Sequence, residues 1–106
     1  MKNSYDRPDT VFLTLEHETY NFLTDTWALA DPDTGFPLIT IIDPKGVTKI
    51  PADPEVPITM ARDALGKWQY LYEILVNAEP GWWKGYIDVE NGSYPDREWF
   101  SFLVKG

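Results

Sequence analysis

The sequence predicts an all-β fold: about seven or eight short strands in two packed antiparallel sheets. Three observations predict it. Turn chemistry recurs along the chain, mostly about 8–15 residues apart. The runs between turns alternate with a period of two. The best helix candidate, Ala61 to Leu75, carries Gly66 in its interior. That glycine costs about 1 kcal/mol against alanine. Beyond it, Trp68, Tyr70, Tyr72 and Ile74 fall on one side of a strand, with Lys67, Gln69 and Glu73 on the other.

The elements follow in order. Residues 1–9 are polar and read as an N-terminal arm, with a single domain over 10–106. Val11-Phe12-Leu13-Thr14-Leu15 is apolar and partly β-branched, which favours a strand. Asn21 to Ala30 reads as the second strand, ending at the turn Asp31-Pro32-Asp33-Thr34-Gly35. Leu38-Ile39-Thr40-Ile41-Ile42 is strongly β-forming, and Asp43-Pro44-Lys45-Gly46 turns the chain into a short strand, Val47 to Ile50. Pro51-Ala52-Asp53-Pro54-Glu55-Val56-Pro57 cannot be a central strand, because proline donates no ladder hydrogen bond. It reads as an extended crossover. Ile58 to Arg62, Lys67 to Val76, Trp82 to Val89 and Arg97 to Val104 complete the set. Asn91-Gly92-Ser93 has the form of a glycosylation sequon but reads as a turn.

Composition narrows the work this chain can do. It has 106 residues, 17 acidic and 9 basic, for a net charge of −8. Such a balance argues against a nucleic-acid groove and against an anionic membrane. There is no cysteine, hence no disulfide and no thiolate chemistry. Aromatic residues make up 15% of the chain, enough for a packed core. The first residues lead into no apolar h-region, so no signal peptide and synthesis in the cytoplasm are expected.

Several motifs, taken in order, resemble a known family. They are Asp31-Pro32-Asp33-Thr34-Gly35, Ile41-Ile42-Asp43-Pro44-Lys45-Gly46, the lone Met60, Gly66-Lys67-Trp68-Gln69-Tyr70, Pro80-Gly81-Trp82-Trp83 and the closing Phe100-Ser101-Phe102-Leu103-Val104. Their order over residues 10–105 resembles the immunoglobulin-like β-sandwiches of bacteria and phages, and is similar to the macroglobulin MG2-type domains. Trp68 stands where that pattern usually has a tyrosine. The resemblance implies an immunoglobulin-like two-sheet sandwich. It leaves function open, because such sandwiches serve as spacers, adhesion modules and decoration domains.

Alternation then assigns faces. Inward residues are Trp27, Leu29, Ile39, Ile41, Trp68, Tyr70, Tyr72, Ile74, Trp83, Ile87, Val89, Phe100, Phe102 and Val104. Trp82, Lys84, Tyr86 and Asp88 then point outward, as do Trp99, Ser101 and Leu103. If the last two strands pair, Trp82, Tyr86, Trp99 and Leu103 share one outer face. A contiguous apolar patch of that kind marks a contact surface.

Little points to catalysis. His17 is the only histidine, and no nucleophile elbow, phosphate loop or dinucleotide fingerprint is present. Asp31-x-Asp33-x-Gly35 looks like the start of a calcium loop but lacks the remaining ligands, so a turn is the simpler expectation. No cofactor and no metal are expected. The expected function is a non-catalytic structural or protein-interaction module, with a phage virion component as the natural version. Its partners would be other structural proteins or copies of itself, met through the aromatic face. The alternative is a carbohydrate-binding module, with Trp82, Tyr86 and Trp99 as the platform and Asp88 or Glu98 as acceptors.

Overall fold

The computed structural model describes residues 4–106, all-β and with no helix among them. Its strands are β1 (Ser4–Tyr5), β2 (Asp9–Glu16), β3 (Glu18–Asn21), β4 (Thr26–Leu29), β5 (Leu38–Ile42), β6 (Thr48–Ile50), β7 (Ile58–Thr59), β8 (Ala61–Ala64), β9 (Lys67–Ile74), β10 (Gly81–Asn91) and β11 (Tyr94–Val104). One sheet runs β1-β11-β10-β5-β6, with β7 also on β5. A second runs β2-β9-β8, and β3 pairs only with β4.

The two larger sheets share one core. Val11, Leu13, Leu15 and Ile74 come from one side, and Ile39, Ile41, Trp83, Ile87, Val89, Phe102 and Val104 from the other. Alternation on the long strands produces this directly, since every second residue must leave water. Trp83 is 1% exposed and joins the sheets. Its ring lies 5.9 Å from Tyr72 of the facing sheet and 5.9 Å from Phe102 of its neighbour β11. Its indole N–H donates to the Glu79 carbonyl at 2.8 Å, so the one polar atom of the side chain is satisfied.

The β10–β11 hairpin sets the register of the larger sheet. Asn91 pairs with Tyr94, leaving Gly92 and Ser93 as a two-residue loop, both at positive φ. That is the turn that matches strand twist, and it extends both strands beyond the expected 82–89 and 97–104. The turn at Asp43 also forms: its carboxylate accepts from the Lys45 and Val47 amides at 3.0 and 2.8 Å. The proline-rich segment carries the chain from β6 to β7, and then on to β8 in the other sheet.

Eleven strands form where about seven or eight were expected, and further expectations differ. Residues 21–30 are not one strand. β3 and β4 form a separate hairpin with its turn at residues 22–25, and Trp27, expected inside, is 66% exposed. Among the described strands this hairpin is a two-stranded sheet of its own, and the Trp27 ring lies 5.2 Å from that of Tyr20. The polar arm is not wholly outside the fold either. Tyr5 is buried, packed edge-on to Phe102 at 5.8 Å. β1 pairs with β11 in parallel, so the larger sheet is not purely antiparallel.

The last difference concerns Asp31 and Asp33. They do not close a hairpin turn; β4 and β5 are in different sheets. Each carboxylate instead straps this segment to a neighbouring turn. Asp31 accepts from the Gly66 amide at 3.0 Å and from Arg62 Nε at 3.1 Å. Asp33 accepts from the Ser93 and Gly92 amides at 2.9 and 3.0 Å. The Gly66 amide holds Asp31 below the usual aspartate range, helped by Arg62, and the two turn amides do the same for Asp33. His17 closes the base of the hairpin. Its amide donates to Gly66 O at 2.7 Å, and its Nδ1 donates to Ala30 O at 2.8 Å. A side chain at Gly66 would strike His17 O at 2.7 Å, and φ there is +69°.

Candidate binding face on the outer sheet

Cross-strand pairing builds this face. In the antiparallel β10–β11 ladder Trp82 sits opposite Leu103, and Tyr86 opposite Trp99. Trp83 sits opposite Phe102, on the buried side. All four expected site residues therefore lie on the same side of one sheet. Trp82 is 59% exposed and Trp99 61%; Tyr86 and Leu103 are half-buried. Lys84 and Ser101 face each other between the two pairs. Trp82 and Tyr86 are four residues apart, about 13 Å along the strand. The face therefore has two aromatic spots with a polar step between them.

The second spot is the more organised. Tyr86 and Trp99 meet edge to face, with centroids 4.9 Å apart. The Arg97 guanidinium lies 3.8 Å from the Tyr86 ring centre and 5.7 Å from that of Trp99. It also donates from Nε to Asp88 Oδ1 at 2.6 Å and from its terminal nitrogen to Asp88 Oδ2 at 3.2 Å. This two-point grip fixes the plane of the guanidinium against the ring, and the Asp88 bond holds Arg97 above its ordinary pKa. Beside it the sheet dips into a cleft of about 300 Å³. Tyr86, Asp88 and Thr40 form one part of its lining, and Pro51, Pro54 and Pro57 another.

The sequence located the aromatic residues but not Arg97. The signal was present: Arg97 is two residues before Trp99 and opposite Asp88, so period two puts it on this face. Glu98, named as an acceptor for this platform, is on the other side of β11, opposite Ile87. The proline-rich wall arrives from a different part of the chain, which no local pattern foretells.

Chemically the face offers flat apolar surface, a fixed cation and a carboxylate. Among the described residues no group of three or more His, Asp or Glu side chains converges to hold a metal ion. Both Asp31 and Asp33 are engaged by the amides described above. Among the described residues no helix is long and apolar enough to cross a membrane. Comparison with protein-family models, curated proteins and solved structures finds no match.

Proposed function

We propose that this chain is a non-catalytic interaction module that docks on protein through the outer face of β10 and β11. One observation carries the reading: Trp82 and Trp99, each about three-fifths exposed, lie on the same side of one sheet. Interface cores are enriched in tryptophan, tyrosine and arginine, and a few such anchors supply most of the affinity. Here Arg97 is already held in place beside Tyr86 and Trp99, so less side-chain freedom is lost on binding.

An immunoglobulin-like assignment is part of the proposal. Its support is the strand order. β11-β10-β5 and β2-β9-β8 follow the arrangement of the two sheets in such sandwiches, without their disulfide. The setting suggested by the resemblance is a larger protein assembly, such as a phage virion. There the partners would be other structural proteins or copies of this chain.

A second reading rests on the Asp88–Arg97 pair at the edge of the cleft. Aromatic rings beside fixed polar groups also suit the faces and hydroxyls of a sugar. Two measurements separate the readings. Light scattering and titration against candidate structural proteins should show assembly that Trp99→Ala abolishes. Retardation on a polysaccharide gel, lost in Trp99→Ala, with no protein assembly, would replace the protein reading by the sugar one.

A further inference from the structure

The two larger sheets leave neighbouring edges open on one side of the molecule. β2 is an outer strand of its sheet. Among the described residues, β11 is paired on its outer edge where Ser4 and Tyr5 meet Leu103 and Val104. From Tyr94 to Phe102 no described strand pairs with that edge. A cleft of about 400 Å³ lies between the end of β2 with the start of β3 on one side and the β10–β11 hairpin on the other. Leu15, Ile87 and Val89 supply its apolar surface, and Glu16, Glu18, Asp96 and Glu98 its carboxylates. No lysine or arginine lines it.

The position of two of those carboxylates is unusual. Asp96 lies opposite Val89, and Glu98 opposite Ile87, both on the core-facing side of β11. The same side of β11 carries Phe102 and Val104 within the core. Yet Asp96 and Glu98 are exposed, with the cleft between them and Leu15 and Glu16 of the facing sheet. Inward charge on an open edge discourages pairing with a copy of itself, since Asp96 and Glu98 would meet like charge, and each copy carries −8. The same arrangement favours a strand of opposite charge.

We propose that this cleft accepts an extended basic segment of a partner protein, which adds as a strand to the open edge of β11. Its core-facing side chains are Lys or Arg. Their aliphatic stems lie over Leu15, Ile87 and Val89, and their charges meet Asp96, Glu98 and Glu16. Its alternate side chains are apolar and extend the outer face beside Trp99. Main-chain pairing with β11 supplies affinity, and the alternation supplies specificity. The proposal does not depend on the outer face binding protein, since the cleft lies on the core-facing side of β11.

The test uses a blocked heptapeptide alternating Lys and Val as probe, with calorimetric titration and amide hydrogen exchange of the whole chain. The expected result is one-to-one binding, weakened by salt. Exchange of β11 edge amides between Tyr94 and Phe102 should slow at least tenfold. Asp96→Lys combined with Glu98→Lys should weaken binding at least tenfold without changing the melting temperature, since both side chains are exposed. A Glu–Val peptide should not bind. Three results would overturn the proposal. One is unchanged exchange along β11. Another is equal binding of a Lys–Pro peptide, which cannot form a strand. The third is a peptide-free dimer that already protects this edge, which would make a second copy the occupant.

Discussion

The Phe100 ring occupies the space that a side chain at residue 85 would need. Gly85 and Phe100 face each other across β10 and β11. A Cβ built on Gly85 would come within 2.5 Å of Phe100 Cζ and would also strike the Thr40 carbonyl oxygen. A glycine inside a long strand is otherwise a cost, in entropy and in missing packing. Here the opposite ring fills the gap.

Gly85→Ala should therefore destabilise the protein by about 1–3 kcal/mol, the usual range for overpacking. Urea denaturation measures it. Adding Phe100→Ala should not restore stability, because Thr40 O is backbone and cannot move aside as a side chain can. Full recovery in the double variant would show that the Phe100 ring alone, and not Thr40 O, blocks a side chain at residue 85.

Trp83→Ala and Phe102→Ala should each cost about 3–5 kcal/mol, because both side chains are only 1% exposed. A domain of this size has about 5–15 kcal/mol in total, so either variant is near the limit of folding. The rings touch, so the double variant should cost less than the sum. Melting curves of the two single variants close to that of the parent would remove Trp83 and Phe102 from the core.

The straps at Asp31 and Asp33 should make the base of the β3–β4 hairpin acid-sensitive. Both carboxylates titrate below their ordinary value of 3.8 in the folded chain. Their stabilisation is thus fully present above that value. It is lost as pH falls through the lower folded values. Amide exchange at Gly66, Gly92 and Ser93 should accelerate in Asp31→Ala and Asp33→Ala at neutral pH. Melting temperature should fall less steeply below about pH 4 in the double variant than in the parent. Identical pH profiles would show that the straps carry no linkage.

Trp99→Ala and Trp82→Ala should change stability by no more than about 1 kcal/mol, since both side chains are largely in water. Assembly through the outer face should nevertheless be lost in Trp99→Ala. Arg97→Lys should weaken it as well, because lysine cannot keep two bonds to Asp88 and the contact with Tyr86 together. Thermal melts alongside titration separate the two effects. An unfolded Trp99→Ala would place that side chain in the core instead.

The all-β class, the turn at Asn91-Gly92-Ser93 and the two faces of β9, β10 and β11 were legible in the sequence. The physical reason is that strand periodicity is local and exact in sign. Once Trp83 is inward, Trp82 and Tyr86 must be outward, whatever surrounds them. Tertiary structure decided the rest. Trp27 alternates like a core residue, but alternation does not say whether another sheet lies over the strand, and in the fold Trp27 is largely exposed on the separate β3–β4 hairpin. Asp31 and Asp33 find their partners in turns far along the chain, at Gly66 and at Gly92 and Ser93, which no short spacing encodes. The open edge of β11 is likewise invisible in its own residues. Among the described residues no strand pairs with it from Tyr94 to Phe102, and Asp96 and Glu98 stand exposed on its core-facing side.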